Sequence, residues 1–323
     1  MRSFLRGVAL VALATLVSTD CSHAQDFPSK PITIIVGLAA GGITDITARI
    51  YAEAVSRSMG QRVSVDNRPG AGGAVGAAAV QNSPPDGYTL LVFSGSQHAT
   101  IAAAGPAPYE PVKGFAPVTL LFNSVVALSV PADSPYKSVA ELFDAGKKKE
   151  GGLLFGSPGL GSPSHLLGAR LALAAGVPIQ SIHYRGGAPM MADLVTGRVE
   201  WAFPTLSTAR GYLADGKLKA LALDAAERWS GLPNTPTLTE LGYGNEKVAS
   251  WFALAAPAGT PPAVVAKLRE EFVKASRDPD LQRRLAENGT PIATSTSEEM
   301  GKLMAEESMA MEALVKTLGL KLQ

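Results

Sequence analysis

The sequence has almost no cysteine, and its single cysteine lies in a segment that we expect to be removed. Cys21 is the only cysteine among the 323 residues. It follows a basic start and the short apolar run GVALVALATLV, and the small residues Ser22 and Ala24 stand at the positions that determine cleavage. We therefore expect residues 1–24 to be a signal peptide that is cut after Ala24. The mature chain then has neither a disulfide nor thiol chemistry.

Long hydrophobic runs are also missing beyond this leader. No later stretch reaches the roughly 18 unbroken apolar residues that a membrane span requires. A lipid anchor on Cys21 is not expected either, because Asp20 precedes it where lipoprotein signals carry a small residue. The sequence therefore predicts an exported protein, located in the periplasm if the cell has two membranes.

Charge of either sign is not in excess. Loss of Arg2, Arg6 and Asp20 from 29 basic and 28 acidic residues would leave 27 of each. The one basic run, residues 147–149, is followed by Glu150 and is typical of a solvated helix end. Because nucleic-acid binding needs a basic footprint, we expect no nucleic-acid partner.

Motifs for metal binding and nucleophilic catalysis are scarce. The sequence has no G-x-S-x-G nucleophile elbow. Residue type alone leaves a set of Ser157, His165 and Asp193 open, but no spacing supports it. No pair of histidines has the spacing of a metal-ligand set; the four are His23, His98, His165 and His183. We expect neither an enzyme nor a cofactor nor a metal.

The segment NRPGAGGAVG leaves a dinucleotide alternative open, because it follows a strand-like run and opens a helix. Val75 stands where the third glycine of the fingerprint belongs, and Gly76 gives only a looser variant. The next strand-like run ends LVFSGS and carries no carboxylate for a ribose. Glycines that permit close helix–sheet packing are the favoured interpretation.

Short strand-like runs alternate with helix-like segments through most of the chain. Gly, Pro, Asn and Asp separate them, and this alternation predicts an α/β fold with parallel sheets that carry helices on both faces. Helices are expected from residue 44 to about 59, over 74–81 and after the later strands. The strand-like runs are residues 32–36, 62–67, 88–94, 125–130, 152–156, 181–184, 199–203 and 217–223.

The C-terminal part has a different pattern. Trp251 begins a run that predicts a return strand, and three helical segments follow from residues 261, 278 and 297, with Pro, Asp or Ser at their starts. We therefore expect a split first domain of residues 25–126 and 252–323, with a second domain of residues 127–251 inserted. Two connections between the domains would permit hinge closure around a ligand.

Three glycine-rich strand–helix junctions provide the functional hypothesis: residues 37–44, 155–165 and 183–189. Ligands of open α/β sheets bind beyond the carboxyl ends of the strands, where helix N-termini present unpaired N–H groups and a partial positive charge. Such a site holds an anion without Lys or Arg. The first two junctions have neither residue, which favours one or two carboxylates over a polyphosphate.

Each junction also has a purely structural interpretation. Thr44 can cap the helix, and Asp45 can complement the helix dipole and pair with Arg49 one turn on. His165 can be a core or capping histidine, and Tyr184 can simply end a strand. The functional hypothesis rests on the three junctions together.

Six segments along the chain resemble the signature segments of a known family: PSKPITIIVGLAAGGITDITARIYAEAV, GQRVSVDNRPGAGGAVGAAAV, PPDGYTLLV, FGSPGLGSPSHLLG, YRGGAPMMADLVTGRVE, and FALAAPAGTP followed by VVAKL. By these the mature chain resembles the substrate-binding receptors of tripartite tricarboxylate transporters, also called Bug receptors. The resemblance implies a two-domain periplasmic binding protein of the type II, Venus-flytrap class, each domain being a mainly parallel sheet flanked by helices. It implies capture of a small carboxylate for a transporter, or, as an alternative, a sensory receptor without one.

The resemblance also implies a site in which backbone N–H groups and ordered waters hold the carboxylate. The matching loops are residues 38–45, 157–165 and 184–187 with Thr205, and Leu38 stands where the family usually has Phe or a similar residue. We expect a mono- or dicarboxylate ligand, transporter subunits as partners and a monomeric chain. The candidate ligand-binding residues are Leu38, Ala39, Gly41, Gly42, Thr44, Asp45, Ser94, Ser157, Gly161, Ser162, His165, Tyr184, Gly186, Gly187 and Thr205.

Overall fold

The computed structural model describes residues 27–225, 227–244 and 250–319. The predicted signal peptide and Cys21 lie outside these residues. Ten strands form two five-stranded sheets with the orders β2-β1-β3-β10-β4 and β7-β6-β8-β5-β9. The strands are β1 Ile32–Val36, β2 Val63–Asn67, β3 Thr89–Ser94, β4 Phe115–Asn123, β5 Val126–Pro131, β6 Leu153–Ser157, β7 Ile179–His183, β8 Trp201–Ala202, β9 Leu218–Asp224 and β10 Trp251–Pro257.

Each sheet is mixed, with a single reversed strand. In the first sheet β10 pairs antiparallel with both β3 and β4, while β1 pairs parallel with β2 and β3. In the second sheet β5 pairs antiparallel with both β8 and β9, while β6 pairs parallel with β7 and β8. The reversed strands are those by which the chain enters the second sheet and returns to the first. The predicted α/β fold with mainly parallel sheets is confirmed.

Ten helices accompany the strands in the described part of the chain. They are α1 Ile43–Met59, α2 Ala74–Gln81, α3 Gly95–Ala104, α4 Val139–Lys148, α5 Pro163–Ala174, α6 Gly187–Val195, α7 Leu206–Ala214, α8 Pro262–Ala275, α9 Pro279–Glu287 and α10 Ser297–Leu318. The sequence patterns predicted neither β4 nor α3. The segment of α3, GSQHATIAAA, begins with small polar residues directly after β3, so no turn signal separates the two elements.

The first sheet buries both of its faces. Alternate residues of β1 point to opposite sides, so Ile34 joins a core with Tyr51 and Phe272, whereas Ile35 joins a core with Met300. Helices α1, α8 and α9 therefore cover one face, and α2, α3 and α10 cover the other. A β1 strand in which all five residues are β-branched suits such a two-sided position.

The second sheet is covered in the same way. Trp201 and Phe155 lie in a core with α4 and α5, and Met190 lies in a smaller cluster with α7 on the opposite face. Helix α10 contacts both units, because Met304 belongs to a core of the first sheet and Met311 to the main core of the second. The assignment of the whole C-terminal segment to the first domain stays a prediction.

The two connections between the sheets lie side by side. Residues between β4 and β5 form one, and the residues before β10 form the other. The Ser124 N–H donates to the Ser250 carbonyl over 2.8 Å. This arrangement is compatible with a hinge.

Candidate functional site

A cleft of about 700 Å³ lies between the two sheet units, at the carboxyl ends of their parallel strands. It is bordered by the loops that follow β1, β3, β6, β7 and β8. The sequence-predicted residues that border it are Leu38, Ala39, Gly42, Thr44, Asp45, Ser94, Ser162, Gly186, Gly187 and Thr205. Sites of open α/β sheets occupy this position.

Five helices begin at this cleft: α1, α3, α5, α6 and α7. The first N–H groups of each helix have no partner inside the helix. Side-chain caps are absent at the N-termini of α1, α3, α6 and α7, whose N-cap residues are Gly42, Ser94, Gly186 and Thr205. The cleft is therefore surrounded by backbone donors and by the positive ends of helix dipoles.

The Asp45 carboxylate stabilises the N-terminus of α1. The Gly41 N–H donates to Asp45 Oδ2 over 2.9 Å, and Arg49 Nε donates to Asp45 Oδ1 over 2.9 Å. Burial raises the pKa of Asp45, but hydrogen bonds from Arg49, Gly41 and Asn67 outweigh it, and the net pKa is lowered. The predicted Asp45–Arg49 pair is confirmed. Thr44 is not the cap, because Gly42 occupies that position.

At the N-terminus of α5, nearby side chains already accept hydrogen bonds from the backbone N–H groups. The His165 N–H donates to Ser162 Oγ over 3.2 Å, and the Gly161 N–H donates to His165 Nδ1 over 3.1 Å. Burial, and then the neighbouring charge of His183, lowers the pKa of His165 to about 3, so the imidazole is neutral and accepts. His165 is a buried core histidine whose ring holds the loop before the helix, and the cap itself is Ser162.

No hydrolase set is assembled from Ser157, His165 and Asp193. Ser157 is fully buried and its Oγ lies 2.7 Å from His183 Nδ1. Asp193 accepts a hydrogen bond of 2.7 Å from the Tyr184 hydroxyl. Each member is therefore paired with a residue outside the set.

Five predicted residues do not border the cleft: Gly41, Ser157, Gly161, His165 and Tyr184. Tyr184 instead borders a wider outer cavity of about 1810 Å³ beside Arg185. Gly161 packs against the opposite unit, because a Cβ built on it would lie 2.8 Å from Thr100 Cγ2. Their role as ligand contacts stays a prediction.

The structure adds residues that the sequence reasoning missed. Gln97 borders the cleft from the first turn of α3, and Phe252 borders it from β10. The strand that ends at Ser94 passes directly into the helix without a turn signal, so the sequence patterns did not indicate the strand–helix junction that places Gln97 at the cleft. Phe252 lies opposite Ser94 in the β10–β3 register, which no local pattern indicates.

The wall of the cleft is almost uncharged. Asp45 is the only Asp, Glu, Lys, Arg or His among the described residues that border it. Arg49 already neutralises this carboxylate, and the Gly41 N–H donates a hydrogen bond to it. An anionic ligand would therefore depend on backbone donors and hydroxyl groups.

Gly76 of the NRPGAGGAVG segment serves close packing against Gly37. A Cβ on Gly76 would lie 2.7 Å from Gly37 Cα, and one on Gly37 would lie 2.7 Å from the Gly73 carbonyl oxygen. These contacts leave no room for a side chain. The packing interpretation is confirmed.

Within residues 27–225, 227–244 and 250–319, no group of three His, Cys, Asp or Glu side chains is arranged to hold a metal ion. Among the same residues, no helix has the length and apolar character needed to cross a membrane.

The geometry defines a class. Two α/β units with a cleft between them at the strand ends are the architecture of periplasmic binding proteins. The structure of periplasmic binding protein BugD is similar, with a TM-score of 0.85 and 32% identity, covering 92% of this chain and 100% of that one. The structure of R. palustris Rpa4515 with adipate has a TM-score of 0.86 and 32% identity, covering 92% of this chain and 99% of that one. MatC (Rpa3494) from Rhodopseudomonas palustris with bound malate has a TM-score of 0.83 and 31% identity, covering 90% and 100%.

The sequence comparisons identify the family. The model described as tripartite tricarboxylate transporter family receptor matches residues 47–320. A protein encoded in the tcbD-tcbE intergenic region of Pseudomonas sp. strain P51 is 35% identical over 97% of this chain and 93% of its own length. BugT of Bordetella pertussis is 31% identical over 98% and 96%. The chain belongs to the tripartite tricarboxylate transporter receptor family. It is a solute-binding protein of this family, which is periplasmic.

Proposed function

We propose that the protein captures a small carboxylated metabolite in the cleft and passes it, unchanged, to the membrane subunits of a tripartite tricarboxylate transporter. The observation that carries this proposal is the convergence of five helix N-termini on a cleft without Lys, Arg or His among its described lining. Uncapped N–H groups bind a carboxylate through charge-assisted hydrogen bonds.

The ligands of similar proteins support a carboxylate. Adipate accompanies Rpa4515 and malate accompanies MatC, and both structures resemble this one along almost their whole length. Both molecules are small aliphatic dicarboxylates.

The proposal includes the processing and movement of the chain. Residues 1–24 are removed on export, and the monomer closes residues 25–126 and 252–323 against residues 127–251 around the ligand. Intact mass of the exported protein tests the first part. A mature chain beginning at Gln25 is expected, and a lipid-modified Cys21 at the N-terminus would contradict it.

Binding is tested by thermal shift with adipate, malate, succinate and propionate, with NAD as the comparison compound. At a concentration of 100 times the Kd, a ligand should stabilise the protein by about 2.7 kcal/mol. Mass spectrometry of the recovered ligand should show it unchanged. A shift with NAD and none with carboxylates, or a product that accumulates over many turnovers, would contradict the proposal.

A further inference from the structure

A second cavity, which we call the inner chamber, adjoins the cleft on the side of the first sheet. It has a volume of about 360 Å³. Thr44, Ser94 and Gln97 border both the cleft and the inner chamber, which continues to His98 and Tyr109. A ligand held in the cleft can therefore place a substituent beside Ser94.

Ser94 has an unused hydroxyl at this boundary. The residue is 5% exposed, and its Oγ has no hydrogen-bond partner among the described residues. Ser94 is the N-cap of α3, yet its side chain makes no capping bond. Since buried hydroxyl groups normally have partners, an unpartnered one at a cavity wall indicates a partner that arrives from outside the protein.

The inner chamber carries no charge to match a second carboxylate. No Lys, Arg, Asp or Glu is among the described residues that border it. His98 Nε2 lies 3.0 Å from the Pro111 carbonyl oxygen, and burial lowers the pKa of His98 to about 4, so the ring is neutral at pH 7. The Tyr109 hydroxyl already donates to the His98 carbonyl. A buried carboxylate needs several charge-assisted hydrogen bonds, whereas a neutral polar group needs only ordinary hydrogen bonds such as Ser94 and Gln97 can provide.

On the basis of the proposed function, we propose that Ser94, with Gln97 beside it, forms a subsite for a neutral polar substituent of the bound carboxylate. A serine hydroxyl both donates and accepts, and the Gln97 amide offers both as well. The subsite therefore takes a hydroxyl, keto or amide group. The preferred ligands are hydroxy, oxo or amide-bearing carboxylic acids rather than their unsubstituted counterparts.

The test uses pairs of acids that differ only in the substituent: malate against succinate, and lactate against propionate. Calorimetry should give the wild type a preference of about tenfold for the hydroxylated member of whichever pair binds. Ser94→Ala should remove this preference by weakening only the hydroxylated member. The free Ser94→Ala protein should melt at the same temperature or higher, because no hydrogen bond inside the protein is lost.

Ser96→Ala is the matched control. Ser96 also has a buried, unpartnered hydroxyl in the first turn of α3, but it borders neither the cleft nor the inner chamber. The Ser96→Ala variant should keep the preference for the hydroxylated acid. Three results would overturn the inference while the proposed function stands. Ser94→Ala could weaken both acids of a pair equally, or Ser96→Ala could lose the same preference. The wild type could also favour the unsubstituted acid. If no acid bound the wild type, the proposed function would fail, and the subsite with it.

Discussion

Four of the five helices that begin at the cleft have no side-chain cap, whereas three of the four that begin away from both the cleft and the inner chamber have one. Ser138, Asp278 and Thr296 accept first-turn N–H groups of α4, α9 and α10. The exception, α8, has Pro261 at its N-cap position, and a proline side chain has no oxygen to accept the first-turn N–H groups. Caps typically contribute about 1 kcal/mol each. Their absence at the cleft leaves donors for a ligand.

The one capped helix at the cleft shows how two similar sequences acquire different roles. The loops before α1 and α5 are both glycine-rich and free of cations. The loop before α1 leaves donors at the cleft. At the start of α5, by contrast, the His165 N–H donates to Ser162 Oγ, the Gly161 N–H donates to His165 Nδ1, and Gly161 packs against Thr100. We infer that the first loop chiefly binds the ligand and the second chiefly forms a contact between the units.

The largest effect is expected when the cleft helix α1 is given the cap that it lacks. Gly42 has an extended backbone, and a Cβ there would approach nothing closer than 3.8 Å, so Gly42→Asp fits without strain. The new carboxylate would accept the first N–H groups and repel an anionic ligand. Like charges brought together cost several kcal/mol, so carboxylate binding should weaken by at least about 1,000-fold in calorimetry.

Two controls separate this effect from general damage. Gly42→Ala adds a side chain without an acceptor and should weaken binding far less. Ser138→Ala removes a cap far from the cleft and should cost about 1 kcal/mol of unfolding free energy with unchanged affinity. Unchanged affinity in Gly42→Asp would contradict the inference that the uncapped N-terminus of α1 binds the ligand.

The next effect concerns pH and the capped helix α5. The folded-state pKa of His165, about 3, lies below its ordinary value of 6.5. The unfolded chain therefore binds more protons between these values, and the free energy of unfolding falls as pH falls from about 6.5. At pH 4 the loss from this residue should be about 3 kcal/mol.

Chemical denaturation of the free protein between pH 7 and pH 4 measures this loss of unfolding free energy. Asn offers an acceptor near the Nδ1 position, so His165→Asn can keep the Gly161 bond while removing the titration. The variant should show a flatter dependence on pH over this range. If the unfolding free energy depended on pH equally in the wild type and in His165→Asn, His165 would not contribute to this pH dependence.

A smaller effect is expected when the contact between the units is overfilled. Gly161→Ala places a Cβ 2.8 Å from Thr100 Cγ2 and should weaken ligand binding about tenfold by opposing closure. Gly197→Ala is the control, because Gly197 has a φ of +73° against +72° for Gly161 but nothing within 4 Å of the added atom. Both therefore carry the same backbone strain.

The double variant Gly161→Ala with Thr100→Ala sharpens this test, because it removes the nearest atom of the contact. It should recover part of the affinity in calorimetry. If Gly197→Ala weakened binding as much as Gly161→Ala, backbone strain rather than closure would be responsible.

The sequence predicted elements best where glycine or proline marks their ends. Strand Ile32–Val36 and helix Ala74–Gln81 have the predicted bounds, and helix α1 begins one residue before its predicted start. Helix α3 was missed because Ser94 passes into it without a turn. The candidate loops were found because strand–helix junctions are local features. Whether the donors of a loop are free for a ligand depends on which of them nearby side chains satisfy, as at Ser162 and His165, and no spacing reveals this.

The smallest effect on binding is expected at Asp45, which is the only charged residue at the cleft wall among those described. Both of its oxygens already accept hydrogen bonds, from the Gly41 N–H and from Arg49. Asp45→Asn should therefore change carboxylate affinity by no more than about threefold, while the free protein loses about 1 kcal/mol with the charged hydrogen bond to Arg49. The stability that Asp45 contributes is present above its unfolded pKa of 3.8 and is lost as pH falls through its lower folded pKa, and the variant should lack this dependence.

Arg49→Gln is the matched comparison for Asp45→Asn, since it breaks the same pair but leaves the carboxylate. An Asp45 charge that lacks its partner would then face the anionic ligand, so Arg49→Gln should weaken binding more than Asp45→Asn does. Calorimetry on the two variants with the same acid gives the order. The reverse order, with an unchanged melting temperature for free Asp45→Asn, would mean that Asp45 orients the ligand or a water molecule. In that case the donors at the start of α1 would not act alone.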